Sequence, residues 1–313
     1  MTTTTAPAAK VKQRPGDRWF SGTALSAGLM ILVTLAAVAL FLIVQSIPGL
    51  TATSETASIL TGNFWEYVWP LVFGTVWASF LALVMAVPLA VAVALFISHY
   101  APRRLAQGLG YVVDLLAAVP SVVFGLWGIL VLAPAVQPVY AWLNANMGWF
   151  PLFGGTVSST GRTIFTAAIV LAVMVVPIIT AICREIFLQT PVLHEEAALA
   201  LGATRWEMIR MAVFPFGRSG IVSASMLGLG RALGETMAVA MVLSATGVVT
   251  FQLFTSENPS TIPANIALTF PEAYGTNINV LIATGLILFI VTFAVNAIAR
   301  WIVSRRKEFS GAN

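Results

Sequence analysis

The sequence predicts an all-α integral membrane protein built from six transmembrane helices. Three observations carry that prediction: the composition, six long apolar segments, and a one-sided distribution of basic residues. Of 313 residues, 58% are hydrophobic and 9% charged, whereas a soluble domain carries roughly a quarter charged residues. A helix needs about 20 mostly apolar residues to cross the hydrocarbon, and segments near 22–47, 70–98, 109–132, 163–183, 219–247 and 279–303 qualify. Helices are required because lipid offers no partner to exposed backbone groups.

Residues 1–21 hold Lys10, Lys12, Arg14 and Arg18 among Thr, Ala and Pro, and read as a cytoplasmic tail. From Trp19 to Ser54 there is no charge. That is longer than the core of a secretion signal, so the first segment is read as a retained anchor. Arg103 and Arg104 follow the second segment, Arg184, Arg205, Arg210 and Arg218 follow the fourth, and Arg300, Arg305, Arg306 and Lys307 end the chain. The opposite loops, about 48–69, 133–162 and 248–278, contain only Arg162. The bias toward one side places both termini in the cytoplasm, with a six-helix domain over 22–307 and a tail over 308–313. Trp65, Trp69, Tyr140, Trp142, Trp149 and Tyr274 fall in the outer loops and read as interfacial anchors. Pro88, Pro120 and Pro177 lie inside expected spans, where each kinks a helix and frees a carbonyl.

Several function classes are excluded. The single cysteine, Cys183, permits no disulfide within the chain, and His99 and His194 are too few for a metal site. The formal charge of +4 comes without a long basic run or an aromatic stripe suited to nucleic acid. No Gly-x-x-x-x-Gly-Lys-Ser/Thr loop is present to cradle nucleotide phosphates. The Gly230-x-x-x-Gly234 pair instead suits close approach of a neighbouring helix.

The cytoplasmic stretch 184–216 reads as a bent helical hairpin. Thr190 caps a first helix with Pro191 at its first position, Gly202 supplies a left-handed end, and Thr204 with Glu207 forms a capping box for a second helix that stops before Pro215. Span five contains Arg231 and Glu235, four residues apart and so on one helical face near the membrane centre. Charges at that depth are expensive and face the protein interior or a wet pathway. Two readings stay open: an internal salt bridge, or a guanidinium that meets an anion while Glu235 balances it. Asp114 reads either as a tie to a neighbouring helix or as part of a pathway. Arg162 reads as an anion or docking contact, or as a snorkelling anchor.

The stretch Glu196-Ala197-Ala198 with Gly202, Ala212, Phe214 and Pro215 resembles the Glu-Ala-Ala loop of ABC importer permeases. Gly230-Arg231-Ala232-Leu233-Gly234-Glu235-Thr236-Met237-Ala238-Val239, Val119 to Gly128 and Pro177 to Thr180 resemble the PstC family of phosphate-importer permeases. The resemblance implies a type I ABC importer permease fold without catalysis or cofactor of its own. It implies ATP and Mg on two PstB ATPase subunits, a sister permease PstA and a phosphate-binding protein PstS. It also implies that Glu196, Ala197, Ala198, Gly202 and Pro215 engage the ATPase. Arg231, Glu235, Thr236 and Ser121 are implied to line the substrate pathway, with Gly230 and Gly234 packing helices. Beside that reading, a permease for a related oxyanion and a secondary phosphate carrier remain the alternatives.

Overall fold

The computed structural model describes residues 15–304, so the first fourteen residues and the last nine, with their basic groups, lie outside the described residues. The elements in order are α1 (Pro15–Leu50), α2 (Phe64–Leu95), α3 (Arg103–Ala117), α4 (Ser121–Trp127), α5 (Ala133–Met147), α6 (Ile164–Leu188), α7 (Val192–Ala200), α8 (Arg205–Met208), α9 (Phe214–Gly234), α10 (Met237–Val242), α11 (Ile262–Thr269) and α12 (Thr276–Ser304). Among the described residues six helical stretches are long and apolar enough to cross a membrane: Trp19–Leu50, Phe64–Tyr100, Ser121–Met147, Ile164–Leu188, Arg205–Gly234 and Thr276–Trp301. The all-α, six-span architecture expected from composition is present. Helix α1 begins at Pro15, inside the expected tail.

Two spans differ from expectation. The segment 109–132 is not one helix: α3 stops at Ala117 and α4 starts at Ser121. Pro120 is the reason, because its ring disfavours helical backbone at Val119 and its missing N–H cannot close a helical turn. Pro120 instead caps α4 in extended conformation, and the spanning helix runs on to Met147, into what was expected to be an outer loop. Helix α3 carries exposed Leu105, Val112, Leu115 and Leu116 on one stripe, the pattern of a helix lying along a membrane surface. The fifth span, expected over 219–247, starts earlier and ends at Gly234.

Prolines also shape the spans by widening them. Three π-helical turns, Phe96–Tyr100, Gly128–Leu132 and Ile209–Val213, each end two residues before a proline, Pro102, Pro134 and Pro215. In each, the last available N–H reaches back five residues: Ala101 to Phe96 O, Ala133 to Gly128 O and Phe214 to Ile209 O. Before Pro134 and Pro215 the helix continues, and the wider turn moves the carbonyl that the proline ring would otherwise meet, whereas before Pro102 the helix ends at the extended Ala101. Thus α8 and α9 form one stretch through Pro215, and the helix does not stop there as expected.

The core is built on small residues. Along α2, Ala78, Ala82, Ala86, Ala90 and Ala94 recur every fourth position and are essentially inaccessible to solvent. This flat stripe lets α2 pack on α6, and Thr180 of α6 donates to the Ala90 carbonyl (3.3 Å). Helix α9 meets α6 through Gly217, Gly220, Ala224 and Gly228. A β-carbon at Gly228 would stand 2.6 Å from Val175 Cγ1 and 2.8 Å from Ile179 Cδ1. Gly228→Val is therefore expected to cost about 2 kcal/mol of overpacking, read as a lowered melting temperature of the purified protein, whereas Gly230→Val on the open face leaves it unchanged.

The stretch 243–261 is not a peripheral loop. Leu253, Phe254, Asn258, Ser260 and Thr261 are buried, and Phe254 stacks on Tyr140 with centroids 4.5 Å apart. Tyr140, expected as an interfacial anchor, is 2% exposed and bonds Thr166 through its hydroxyl (2.9 Å). Irregular backbone at this position needs internal partners. Asn258 supplies them, accepting from Ile164 N–H (3.0 Å) and donating to Ser244 O and Thr255 O, while Ile262 N–H donates to Thr75 Oγ1 (2.9 Å). Asn279 donates to Gln45 O (2.8 Å) beside Gly49, so α12 starts where α1 ends. The start of α1, the end of α12 and the segment around α7 and α8 thus share the opposite end of the bundle.

Candidate substrate pathway and coupling segment

Helix α9 ends where the two membrane charges lie. Glu235 has φ −69° and ψ 127°, which breaks the helix directly after Gly234. Its carboxylate Oε1 then accepts from Ala238 N–H (3.1 Å), so it serves the first turn of α10, where the exposed N–H groups favour negative charge. Glu235 is 8% exposed. The internal salt bridge to Arg231, one of the two readings open from the sequence, assumed an unbroken helix and is not formed. Among the described residues the ion pairs are His99 with Glu195 and Arg184 with Asp114.

Arg231 sits in the last turn of α9 and lines a cavity of about 850 Å³. Ile178 of α6, Ser223, Leu227 and Gly230 of α9, and Asn296 and Arg300 of α12 also line it. No side-chain hydrogen bond or ion pair to Arg231 forms among the described residues. A guanidinium is always ionised, and in a cavity it offers its planar fork of donors to an anion. Gly230 and Gly234 have nothing within 4 Å of an added β-carbon. They were expected to pack helices, but within this chain Gly230 lines the cavity, Gly234 meets no neighbour, and α9 packs on α6 through Gly217, Gly220 and Gly228.

The other expected pathway residues lie apart from that cavity's lining. Ser121 opens α4, whose Gly125 packs against Ala238 of α10. Thr236 turns its hydroxyl back to Gly234 O (3.3 Å). Arg162 is tied to the end of α10, its Nη2 donating to Met241 O (3.2 Å), and its buried Nε has no partner. Asp114 pairs with Arg184 across 3.6 Å, the tie to a neighbouring helix. Since this pair is partly exposed, it contributes at most about 1 kcal/mol.

At the other end, α7 and α8 form the bent hairpin. Gly202 has φ +89°, the left-handed conformation that ends α7 and turns the chain. Thr204 caps α8, accepting from Glu207 N–H (3.3 Å) while Glu207 accepts from Thr204 N–H (2.8 Å). The first cap differs from expectation: Pro191 is the capping residue of α7, and the buried Thr190 hydroxyl has no partner. Helix α7 buries none of its residues, with Leu193 74% and neighbouring Leu201 90% exposed. Glu196 and Ala197 are exposed, Ala198 rests partly against the core, and Pro215 is exposed within the continuous helix. Sequence reasoning missed one link: Glu195 reaches His99 Nε2 (3.4 Å) at the π-helical end of α2. No local pattern joins residues so far apart in the chain.

Comparison with known proteins assigns this arrangement. Residues 86–308 match the family of binding-protein-dependent transport system inner membrane components. The chain belongs to that family. A relative from Mycobacterium tuberculosis, the phosphate transport system permease protein PstC 2, is 48% identical over 300 residues, covering 92% of this chain and 91% of its own. The PstC of Mesorhizobium japonicum is 38% identical over 308 residues, covering 95% and 92%. Among solved structures, a bacterial ABC transporter involved in import of the acidic polysaccharide alginate aligns with TM-score 0.63 at 16% identity, covering 93% of this chain and 96% of that one. That likeness concerns the fold. The chain is a multi-pass membrane transport subunit with an ABC importer permease fold.

Proposed function

We propose that the chain is the permease subunit of an ATP-driven phosphate importer and forms half of the pathway for inorganic phosphate. The observation that carries this reading is the Arg231 guanidinium, unpaired among the described residues and facing a cavity of about 850 Å³. A cation at that position replaces part of the water shell that phosphate loses, and its fork matches two phosphate oxygens. The mycobacterial relatives named PstC 2 supply the substrate class.

In this reading a sister permease, PstA, covers the open side of the cavity, and an extracytoplasmic PstS delivers phosphate. Two PstB subunits bind ATP and Mg, since this chain has no phosphate-cradling loop of its own. The exposed apolar surface of α7 with Leu201, together with Glu196 and Ala197, seats on one of them. Nucleotide closure draws that hairpin with it and biases the bundle between outward-open and inward-open states. Both termini and the hairpin face the cytoplasm. Uptake of radiolabelled phosphate by proteoliposomes holding the purified components tests the reading. Uptake that proceeds without ATP would make the chain a secondary carrier.

Orientation is checked by labelling with an impermeant thiol reagent in a Cys183→Ser background. Glu55→Cys, Thr156→Cys and Ser256→Cys, all at exposed positions, are expected to react from outside intact cells. Leu201→Cys, equally accessible to solvent but on the hairpin, reacts only after the membrane is opened. Asn258, a natural choice from the sequence, is unsuitable because it is buried and its side chain ties Ser244 and Thr255 of the loop to the start of α6.

A further inference from the structure

The cavity faced by Arg231 holds a second cation. Helix α12 presents Asn296 and Arg300 to it, four residues apart and so on one face, opposite Ser223, Leu227 and Arg231 of α9. The two helices run antiparallel, because α12 starts at the end of the bundle where α6 starts and α9 leaves from the hairpin end. Ser223 and Arg300 therefore lie toward the hairpin. Arg231 lies about 12 Å further along α9, eight residues at 1.5 Å each. Asn296 donates one amide hydrogen to Thr292 O (2.9 Å), which leaves a second donor free.

No carboxylate is among the cavity's lining residues, and neither Arg231 nor Arg300 has a side-chain partner among the described residues. Two guanidiniums without a counter-ion raise the local concentration of anions and repel cations, an effect strengthened by low-dielectric walls. A single deep cation would also hold a partly dehydrated anion too firmly to let it leave. Passage requires sites that are individually weak and adjacent.

We infer that Arg300, with Asn296, forms a second phosphate-group contact that receives the anion from Arg231 and releases it at the hairpin end. This rests on the proposed role of Arg231 as the group that meets the anion. Arg300 recognises the charged oxygens of a phosphate group, which inorganic phosphate shares with anionic phospholipid headgroups.

The test uses the assembled importer with its ATPases and binding protein, in vesicles of phosphatidylcholine alone and in vesicles with added phosphatidylglycerol. Each variant is compared with the unmodified protein in the same lipid. Arg300→Gln is expected to lower maximal phosphate uptake about 10-fold in both, equivalent to ~1.4 kcal/mol, with ATP hydrolysis still stimulated by the binding protein. Arg300→Lys restores at least half, because it keeps the charge and loses only the planar fork. Unchanged uptake by Arg300→Gln in both lipids overturns the inference. A deficit confined to phosphatidylglycerol vesicles overturns it too and gives Arg300 to a lipid headgroup. Loss of stimulated hydrolysis or of co-purifying subunits overturns it as well, making Arg300 an assembly residue. Arg231→Met separates the two levels: if it transports normally, the reading of Arg231 falls, whereas a dead Arg231→Met beside a normal Arg300→Gln removes only the second contact.

Discussion

Arg231→Met is expected to abolish phosphate uptake while leaving insertion, assembly and protein yield unchanged. From the sequence alone, this single change would strand Glu235 in a low-dielectric region, and a neutral double variant would be needed to separate instability from lost function. The structure removes that complication. Glu235 is held by Ala238 N–H and forms no ion pair with Arg231, so neutralising Arg231 takes no hydrogen-bond partner from the buried carboxylate. Two charge-assisted hydrogen bonds to phosphate at roughly 1.5 kcal/mol each correspond to about 100-fold in uptake rate. Arg231→Lys lies between, and Glu235→Leu destabilises the start of α10 instead. Uptake of radiolabelled phosphate by proteoliposomes, normalised to co-purified ATPase, decides the matter. Normal uptake by well-assembled Arg231→Met sinks the substrate role.

The second large effect is expected at Gly202. Its φ of +89° is inaccessible to proline, whose ring holds φ near −65°. Nothing lies within 4 Å of an added β-carbon there, so the change acts through the turn and not through a clash. Gly202→Pro therefore swings α7 away from α8 without disturbing the membrane core. Uptake falls to background while the chain still inserts, and binding-protein-stimulated ATP hydrolysis is lost. Gly202→Asn, which tolerates the left-handed region, keeps a substantial part of the activity. Wild-type ATPase recovery and stimulation in Gly202→Pro would show that the hairpin does not couple.

Much of this architecture was legible in the sequence because the bilayer imposes a simple rule. A helix that satisfies its own backbone and shows lipid an apolar surface is recognisable from length and composition alone, and the six spans follow from that. The Gly202 turn and the Thr204–Glu207 capping box were legible for a similar reason: each closes within a few residues. The errors share the opposite property. Pro120 divides an apolar run that length alone joins, and Glu235 breaks a helix that composition would continue.

By itself the sequence determined a six-helix membrane protein with a bent helical segment leading into its fifth span and a guanidinium within that span. Those features depend on local hydrogen bonding and on the cost of charge in hydrocarbon, both written in short stretches of chain. Only the tertiary structure decided which partner each charge takes. Glu235 caps α10, Arg231 faces open space with Arg300, Glu195 meets His99, and the loop around Asn258 folds into the core. Such pairings join residues distant in sequence, through helix breaks and crossings that no single segment encodes, and Coulomb and hydrogen-bond energies depend on that final separation.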